Sequence, residues 1–186
     1  MLIAPALNYH FYPAFTDFPG SVTLSCNTAA ALTAEICESL ASFGARRFYC
    51  LNTVFSTLQP LELVRQRPAG SGLLFTYTDL ALLLDPVAAQ IAEQPGGTHA
   101  DEVETSMMLH IAPQRVDMQS AVCDYHPGRG LGRSRVPGKA YSPSGVYGDA
   151  TLATAEKGKQ FVAAVVSGLL ADVDNLRMAP LPVAMS

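Results

Sequence analysis

The stretch that decides how this chain reads is His99-Ala-Asp-Glu-Val-Glu-Thr-Ser106, which runs into Met107-Met-Leu-His-Ile-Ala-Pro113. One histidine and three carboxylates fall between positions 99 and 104, in a chain with only 15% charged residues. Nitrogen and oxygen donors at this density suit a divalent cation, or an acid–base pair beside one. Pro95-Gly-Gly97 breaks the chain just ahead of them. Residues 102–111 then predict a helix whose first turn carries acids, where the helix dipole favours negative charge. On such a helix Glu102 and Glu104 point about 200° apart, which argues against both binding one metal. One of the two is then a ligand or base, and the other a capping or salt-bridge group.

Working outward from this segment, apolar strands alternate with amphipathic helices. Residues 2–7 form a short apolar run that predicts a buried strand. His10, Phe11, Tyr12 and Phe15 follow in an irregular aromatic segment around Pro13. Phe18-Pro-Gly20 predicts a turn and residues 21–24 a brief strand. Asn27-Thr28 predicts the cap of an Ala-rich amphipathic helix with Leu32, Ile36 and Leu40 on one face and Gly44 as its stop. Residues 46–52 predict a strand, residues 53–57 a polar loop, and Pro60 the start of a short helix. Another strand is expected at 70–76. Helical composition spans 78–92, with Pro86 expected to interrupt it. Residues 116–123 read as extended and 125–147, dominated by Gly and Pro, as a long loop. Asp149 or Thr151 is the expected cap of a helix to about Asp174, with Ala155, Phe161, Val162, Val165 and Leu169 inward. The tail 178–186 reads as frayed. The pattern implies an α/β layer fold with a mostly parallel sheet, organised as a single domain over 1–177. In such folds ligands gather beyond the carboxyl ends of the strands.

The bulk properties narrow the function classes. At 186 residues, 49% hydrophobic, with mean hydropathy +0.20, the chain has the material for one core and does not read as disordered. Net charge is −4, and the basic residues are scattered apart from Arg129, Arg133, Arg135 and Lys139, so no nucleic-acid partner is expected. No apolar run reaches the roughly 18–20 residues of a membrane span, and the N-terminus lacks a charged leader. Cys26, Cys37, Cys50 and Cys123 show no CxxC spacing and read as four buried thiols of a cytoplasmic protein. Gly128-Arg-Gly-Leu-Gly132 follows no clear strand–helix context and is rejected as a phosphate cradle.

Residues 99–113 resemble the motif of the creatininase (creatinine amidohydrolase) family, His-Ala-Gly-Glu-x-Glu-Thr-Ser followed by a Met/Leu-rich helix and a Pro. Phe18-Pro-Gly-Ser-Val-Thr-Leu24 resembles the family's Phe-Pro-Gly-Thr-Ile-Ser-Leu. Ser39-Leu-Ala-Ser-Phe-Gly-Ala-Arg-Arg47 resembles its Ser-Leu-x-x-His-Gly-Phe-Arg-Arg. Ser144-Gly-Val-Tyr-Gly-Asp149, with Ala153-Thr-Ala-Glu-Lys-Gly158, resembles two further family segments. The resemblance implies a three-layer α/β sandwich, a homo-oligomer (a hexamer in the family), two divalent metals (Zn or Mn), and hydrolysis of a C–N bond in a small cyclic or linear amide. Two departures stand out. The family's upstream Glu-Gln-His-Gly-Pro-His segment and the following Asp, which supply most of the metal shell, have no counterpart, so the domain is expected to be N-terminally incomplete. Val54, in Asn52-Thr-Val-Phe-Ser-Thr57, stands where the family has a ligand His in an Asn-Gly-His loop, and valine offers no lone pair.

The resulting expectations are specific. His99 and Glu104 are the candidate catalytic residues, and Glu102 the candidate metal ligand. His10, Tyr12 and Ser21 are candidate substrate contacts, His10 also being a possible replacement for the lost ligand. Asp101 stands in place of a family Gly and reads as a surface or capping residue. The bland alternatives are a solvated His at a helix start, solvated first-turn acids and an aromatic-loop His. The leading functional reading is a metal-dependent amidohydrolase acting on a small amide. Its rival is a truncated or degenerate, non-catalytic relative serving in assembly or small-molecule binding, with metal bound weakly or not at all.

Overall fold

The computed structural model describes residues 1–67, 72–126 and 142–182, and the chain falls into two compact units. The long loop expected at 125–147, the glycine-rich run 128–132, the basic residues 129–139 and the end of the tail lie wholly or largely outside the described residues.

The first unit comprises residues 1–13, 22–80 and 169–186. Helix α1 (Cys26–Ala41) begins two residues before the expected cap: the Ser25 hydroxyl accepts the Thr28 N–H at 3.1 Å. It ends through Ser42 and then Gly44, whose φ of +97° suits a residue without a Cβ. Its buried face is made of small residues, Ala29, Ala30, Thr33 and Ala34, and not of Leu32, which is exposed. Small side chains let α1 lie close to α2 (Leu58–Arg65), where Ala30 and Ala34 meet Val64, with Phe75 packed against them. Strands β1 (Arg47–Cys50) and β2 (Leu74–Tyr77) pair in parallel, Arg47 opposite Leu74 and Cys50 opposite Tyr77, with α2 as the intervening helix. The last turns of α5 (Ala155–Met178) belong here too. The carbonyl of Leu176 in its last turn and that of Ala179 just past its end accept from the Arg47 guanidinium at 3.0 and 2.8 Å.

Two expected strands do not form in this part of the chain. Residues 1–9 are exposed and irregular, and 21–24 carry no ladder. A strand is stable only with a paired neighbour. Near residues 21–24 the backbone is tied locally instead: the Tyr12 N–H donates to Thr23 Oγ1 at 2.8 Å and the Leu24 N–H to the His10 carbonyl at 2.8 Å.

The second unit comprises residues 14–21 and 81–168. Helix α3 (Leu80–Ile91) passes through Pro86 without interruption. The carbonyl that loses its partner is that of Leu82, an exposed residue where solvent can take over the bond. Helix α4 (Glu102–Ile111) has the predicted bounds. Where 116–123 was expected to be extended, two 3-10 turns (Pro113–Arg115 and Met118–Ser120) precede β3 (Cys123–Asp124), which pairs antiparallel with β4 (Gly148–Asp149). Helix α5 is capped by neither Asp149 nor Thr151. Thr154 accepts the Lys157 N–H on its hydroxyl (3.2 Å) and the Gly158 N–H on its carbonyl (3.0 Å), while Asp149 caps the short turn Ala150–Leu152. Phe161 is fully buried and Val162 and Val165 half-buried, as the helical spacing requires, but Ala155 is exposed. Of the four cysteines expected to be buried, Cys26, Cys37 and Cys50 are half-buried and Cys123 is exposed. The architecture is α/β, helix-rich with a small parallel sheet. Among the described residues no helix is long and apolar enough to cross a membrane.

Where α5 begins it touches α4 directly. A Cβ at Gly158 would lie 1.8 Å from the Ser106 carbonyl oxygen, and the Ser106 hydroxyl accepts the Thr154 N–H at 3.1 Å. Gly158→Ala therefore forces backbone apart from backbone. We expect it to lower unfolding free energy by about 3 kcal/mol in urea denaturation; an unchanged midpoint would show that the two helices are not in this contact.

Candidate active site

The N-terminus of α4 carries the acids, and helical geometry divides them among three tasks. Asp101 is the N-cap, its Oδ1 accepting the N–H groups of Val103 and Glu104 at 2.9 and 3.0 Å. It is a capping residue as expected, but it is buried and not on the surface. Glu102 points inward and is fully buried. Its Oε2 accepts from the backbone N–H groups of Glu93 (2.9 Å) and Gln94 (2.7 Å), and its Oε1 lies 2.6 Å from Lys157 Nζ. Glu104, two positions on, faces away, and its Oε2 lies 3.5 Å from His99 Nδ1.

The Glu102 carboxylate is committed to its partners. Burial alone would drive the Lys157 ammonium toward neutrality, but Glu102 and Glu93 outweigh it and hold its pKa above the ordinary value. Two of the segments that carry the family resemblance meet here, residues 99–106 and 153–158, so their acid, lysine and glycine are explained by packing and charge pairing.

His99 is held by its backbone. Its carbonyl accepts the Tyr147 N–H at 2.8 Å, and the N–H groups of Thr98 and His99 donate to the Tyr147 carbonyl at 2.9 and 3.3 Å. Its ring meets Phe15 with centroids 4.6 Å apart and planes tilted by 60°. The next residue, Ala100, has a φ of +48°, the one non-glycine in the left-handed region among the described residues. That turn aims the Ala100 N–H at Glu104 Oε2, 2.6 Å away, while Thr105 Oγ1 donates to the Ala100 carbonyl at 3.2 Å. Strain maintained by surrounding bonds at a polar cluster is a mark of a functional site.

The protonation states follow from this setting. Burial lowers the His99 pKa, with the Asp101 charge opposing in part, so the imidazole is neutral at pH 7. Burial pushes the Glu104 carboxyl up, the Ala100 N–H works the other way, and Asp101 adds to the rise. A carboxylate facing Nδ1 favours the tautomer with its proton on Nδ1, which leaves a lone pair on Nε2. The separation of 3.5 Å is loose, as acid–base contacts are in structures without substrate.

His10 and Tyr12 lie in the first unit. His10 is buried, and its Nε2 is 3.3 Å from Thr33 Oγ1, whose proton is given to the Ala29 carbonyl at 3.0 Å. Its Nδ1 has no hydrogen-bond partner among the described residues, and burial lowers its pKa. The Tyr12 ring is 6.5 Å from that of His10. In the same unit the loop 52–57 closes on itself: Asn52 Nδ2 donates to the carbonyls of Val54 and Thr78 at 3.0 and 3.3 Å, and Ser56 Oγ donates to the Phe11 carbonyl at 2.8 Å. Ser21 belongs to the second unit and is exposed, its N–H donating to the Phe18 carbonyl at 3.1 Å. A further carboxylate–imidazole contact, Asp124 Oδ1 to His126 Nε2 at 3.2 Å, sits where Ser142 and Ser144 hydroxyls already occupy the other Asp124 oxygen.

A divalent ion needs about four or more donors. Among the described residues no three His, Cys, Asp or Glu side chains gather in the manner of a metal site. His99 and Glu104 supply two donors at most, and Glu102 is spent on Lys157 and backbone amides. These residues by themselves do not build a two-metal centre.

An imidazole and a carboxylate 3.5 Å apart at a helix start are thus set within an α/β protein. Comparison with known proteins then supplies the family: its profile, described as creatinine amidohydrolase, matches residues 1–173, and the chain belongs to the creatininase family of amidohydrolases. No curated protein matches it. Among solved structures it is similar to a mutant creatininase complexed with creatine, at 23% identity and TM-score 0.69, covering 95% of this chain and 76% of that one. A creatininase with Mn is 23% identical, with TM-score 0.67, over 88% of this chain and 68% of the other. A mutant creatininase of Zn-Zn type is 24% identical, with TM-score 0.65 and the same coverage. At these identities the likeness shows the fold.

Removing one partner of a buried ion pair strands the other charge. Lys157→Met is therefore expected to cost about 3 kcal/mol in chemical denaturation. Glu102→Gln/Lys157→Met together should recover part of that loss, and a double variant no better than the single one would place the ammonium outside this pairing.

Proposed function

We propose that this protein hydrolyses the C–N bond of a small cyclic or linear amide, with His99 as the proton-moving group and Glu104 as the carboxylate that orients it. The observation that carries the reading is the contact of 3.5 Å between His99 Nδ1 and Glu104 Oε2, at a strained turn, in a chain of this family. With its Nδ1 proton directed at Glu104, the neutral imidazole offers its Nε2 lone pair to a water. That water loses a proton to Nε2 as its oxygen attacks the amide carbon. The tetrahedral intermediate collapses as the imidazolium returns the proton to the departing nitrogen. Glu104 stabilises the transient positive charge, which is worth more in a half-buried setting than in water.

The three-layer arrangement, the oligomer and the divalent metal implied by family resemblance are part of the same proposal. Creatininase structures of Mn and Zn-Zn type support a metal in the family. The described residues do not assemble its ligands, and the proton transfers above rest on His99 and Glu104 alone. Glu102 is assigned to the scaffold. His10 and Tyr12 are retained as candidate substrate contacts on the strength of His10 Nδ1, a buried acceptor without a partner among the described residues. Ser21 is retained from the family segment alone.

The test is hydrolysis of creatinine and of a panel of lactams and ureido compounds by the full chain and by His99→Ala. Loss of a general acid–base group should lower kcat by roughly 10²–10⁴-fold. The active form is the neutral imidazole, whose pKa is lowered, so the acid limb of the kcat/KM profile should fall below the ordinary imidazole value of 6.5. Unchanged turnover in His99→Ala, or an acid limb above that value, would refute the assigned role.

A further inference from the structure

Gln94 lies between α3 and α4, ahead of Pro95-Gly-Gly97, and its side-chain amide bridges two separate pieces of backbone. Its Oε1 accepts the N–H of Glu102 at 3.1 Å and the N–H of Asp149 at 3.1 Å, and its Nε2 donates to Asp101 Oδ2 at 2.8 Å. The groups at Oε1 are both donors and the group at Nε2 is a carboxylate oxygen, so chemistry dictates which way the amide points. A primary amide of this length can accept twice and donate to a carboxylate. A glutamate would set its charge against Asp101, and a leucine would leave two N–H groups and one carboxylate oxygen without these partners.

Packing holds the amide in place. A Cβ at Gly97 would come within 2.9 Å of Gln94 Nε2 and 2.8 Å of Asp101 Oδ2. At Gly148 it would come within 2.8 Å of Gln94 Oε1 and 2.3 Å of Asp101 Cβ. Both glycines thus leave room for this one interaction, and any side chain there would push it apart.

The two pieces that Gln94 joins carry the two halves of the acid–base pair. Asp101 caps the N–H of Glu104 and so sets the start of α4. Asp149 follows Gly148 and Tyr147, and Tyr147 is the residue whose backbone brackets His99. We propose that Gln94 is a positioning residue: by locking the start of α4 to the 147–149 segment, it holds the His99 imidazole against the Glu104 carboxylate without touching either. This rests on the reading of His99 and Glu104 as the working pair.

The tautomer of His99 reads that geometry without any substrate. In the full chain labelled with ¹⁵N, the ring nitrogens of His99 are assigned by their loss in His99→Gln and observed in the neutral form. The wild type should show a protonated Nδ1 and a bare Nε2, well separated in shift. Gln94→Leu should draw the two signals toward an averaged position as the Nε2-protonated tautomer is populated. Gln94→Glu, which keeps the size of the side chain and its acceptor, should move them in the same direction, and it serves where Gln94→Leu does not fold. Wild-type ring signals in either folded variant would overturn the positioning role while leaving the His99–Glu104 reading intact. A wild type already protonated on Nε2 would instead overturn that reading, and the positioning role with it.

Discussion

A carboxylate with no exposed surface must be neutralised by its surroundings, and the buried Glu102 imposes that requirement on the second unit of this chain. Its demands are met by the ammonium of Lys157 from the start of α5 and by the N–H groups of Glu93 and Gln94 that follow α3. One charge therefore ties two further stretches, the segment after α3 and the start of α5, to the first turn of α4. The close passage of Gly158 over the Ser106 carbonyl completes the junction. His99, Ala100 and Glu104 hang on this knot, and the left-handed turn at Ala100 persists because the knot leaves it no freedom to relax.

The acids of residues 99–104 look alike in sequence and do different work. The 100° step of the helix separates them: Asp101 stands at the cap, Glu102 faces the interior, and Glu104 emerges on the side of the imidazole. Glu104 is the one that places a carboxylate oxygen 3.5 Å from His99 Nδ1, while Asp101 acts on the ring only through its charge. The same division explains why, among the described residues, a motif with four donors in six positions does not gather three of them around one point. Asp101 and Glu102 are consumed in building the helix start, which leaves Glu104 facing the imidazole.

What could be read from sequence depended on how local the cause was. The bounds of α4 were legible because acids, apolar spacing and a following proline all lie within the segment, and β1 and β2 were legible as apolar runs between turns. The strand expected at 2–7 and the break expected at Pro86 failed for a shared reason: each depends on what stands opposite, a ladder partner in one case and a solvated carbonyl in the other. Along α1, periodicity marks Leu32, Ile36 and Leu40, of which the last two are half-buried, whereas close helix approach buries Ala29, Ala30, Thr33 and Ala34 most fully. The opposing directions of Glu102 and Glu104 followed from helical geometry, and His99 was marked by the acid-rich motif it opens. Lys157 stood in a segment singled out only by resemblance. Gln94 carried no signal at all, since its three partners lie at positions 101, 102 and 149 and a lone glutamine before a Pro-Gly-Gly break has nothing to mark it.

In the proposed reaction His99 and Glu104 act as one unit. A double-mutant cycle on amide hydrolysis, with His99→Ala, Glu104→Gln and the pair combined, measures this directly. If Glu104 serves the reaction only through the imidazole, removing it from the His99→Ala protein should change kcat less than about twofold, although Glu104→Gln alone slows the wild type by an order of magnitude or more. Fully multiplicative losses would contradict the account, because they would mean that the carboxylate acts on the substrate or the fold independently of His99.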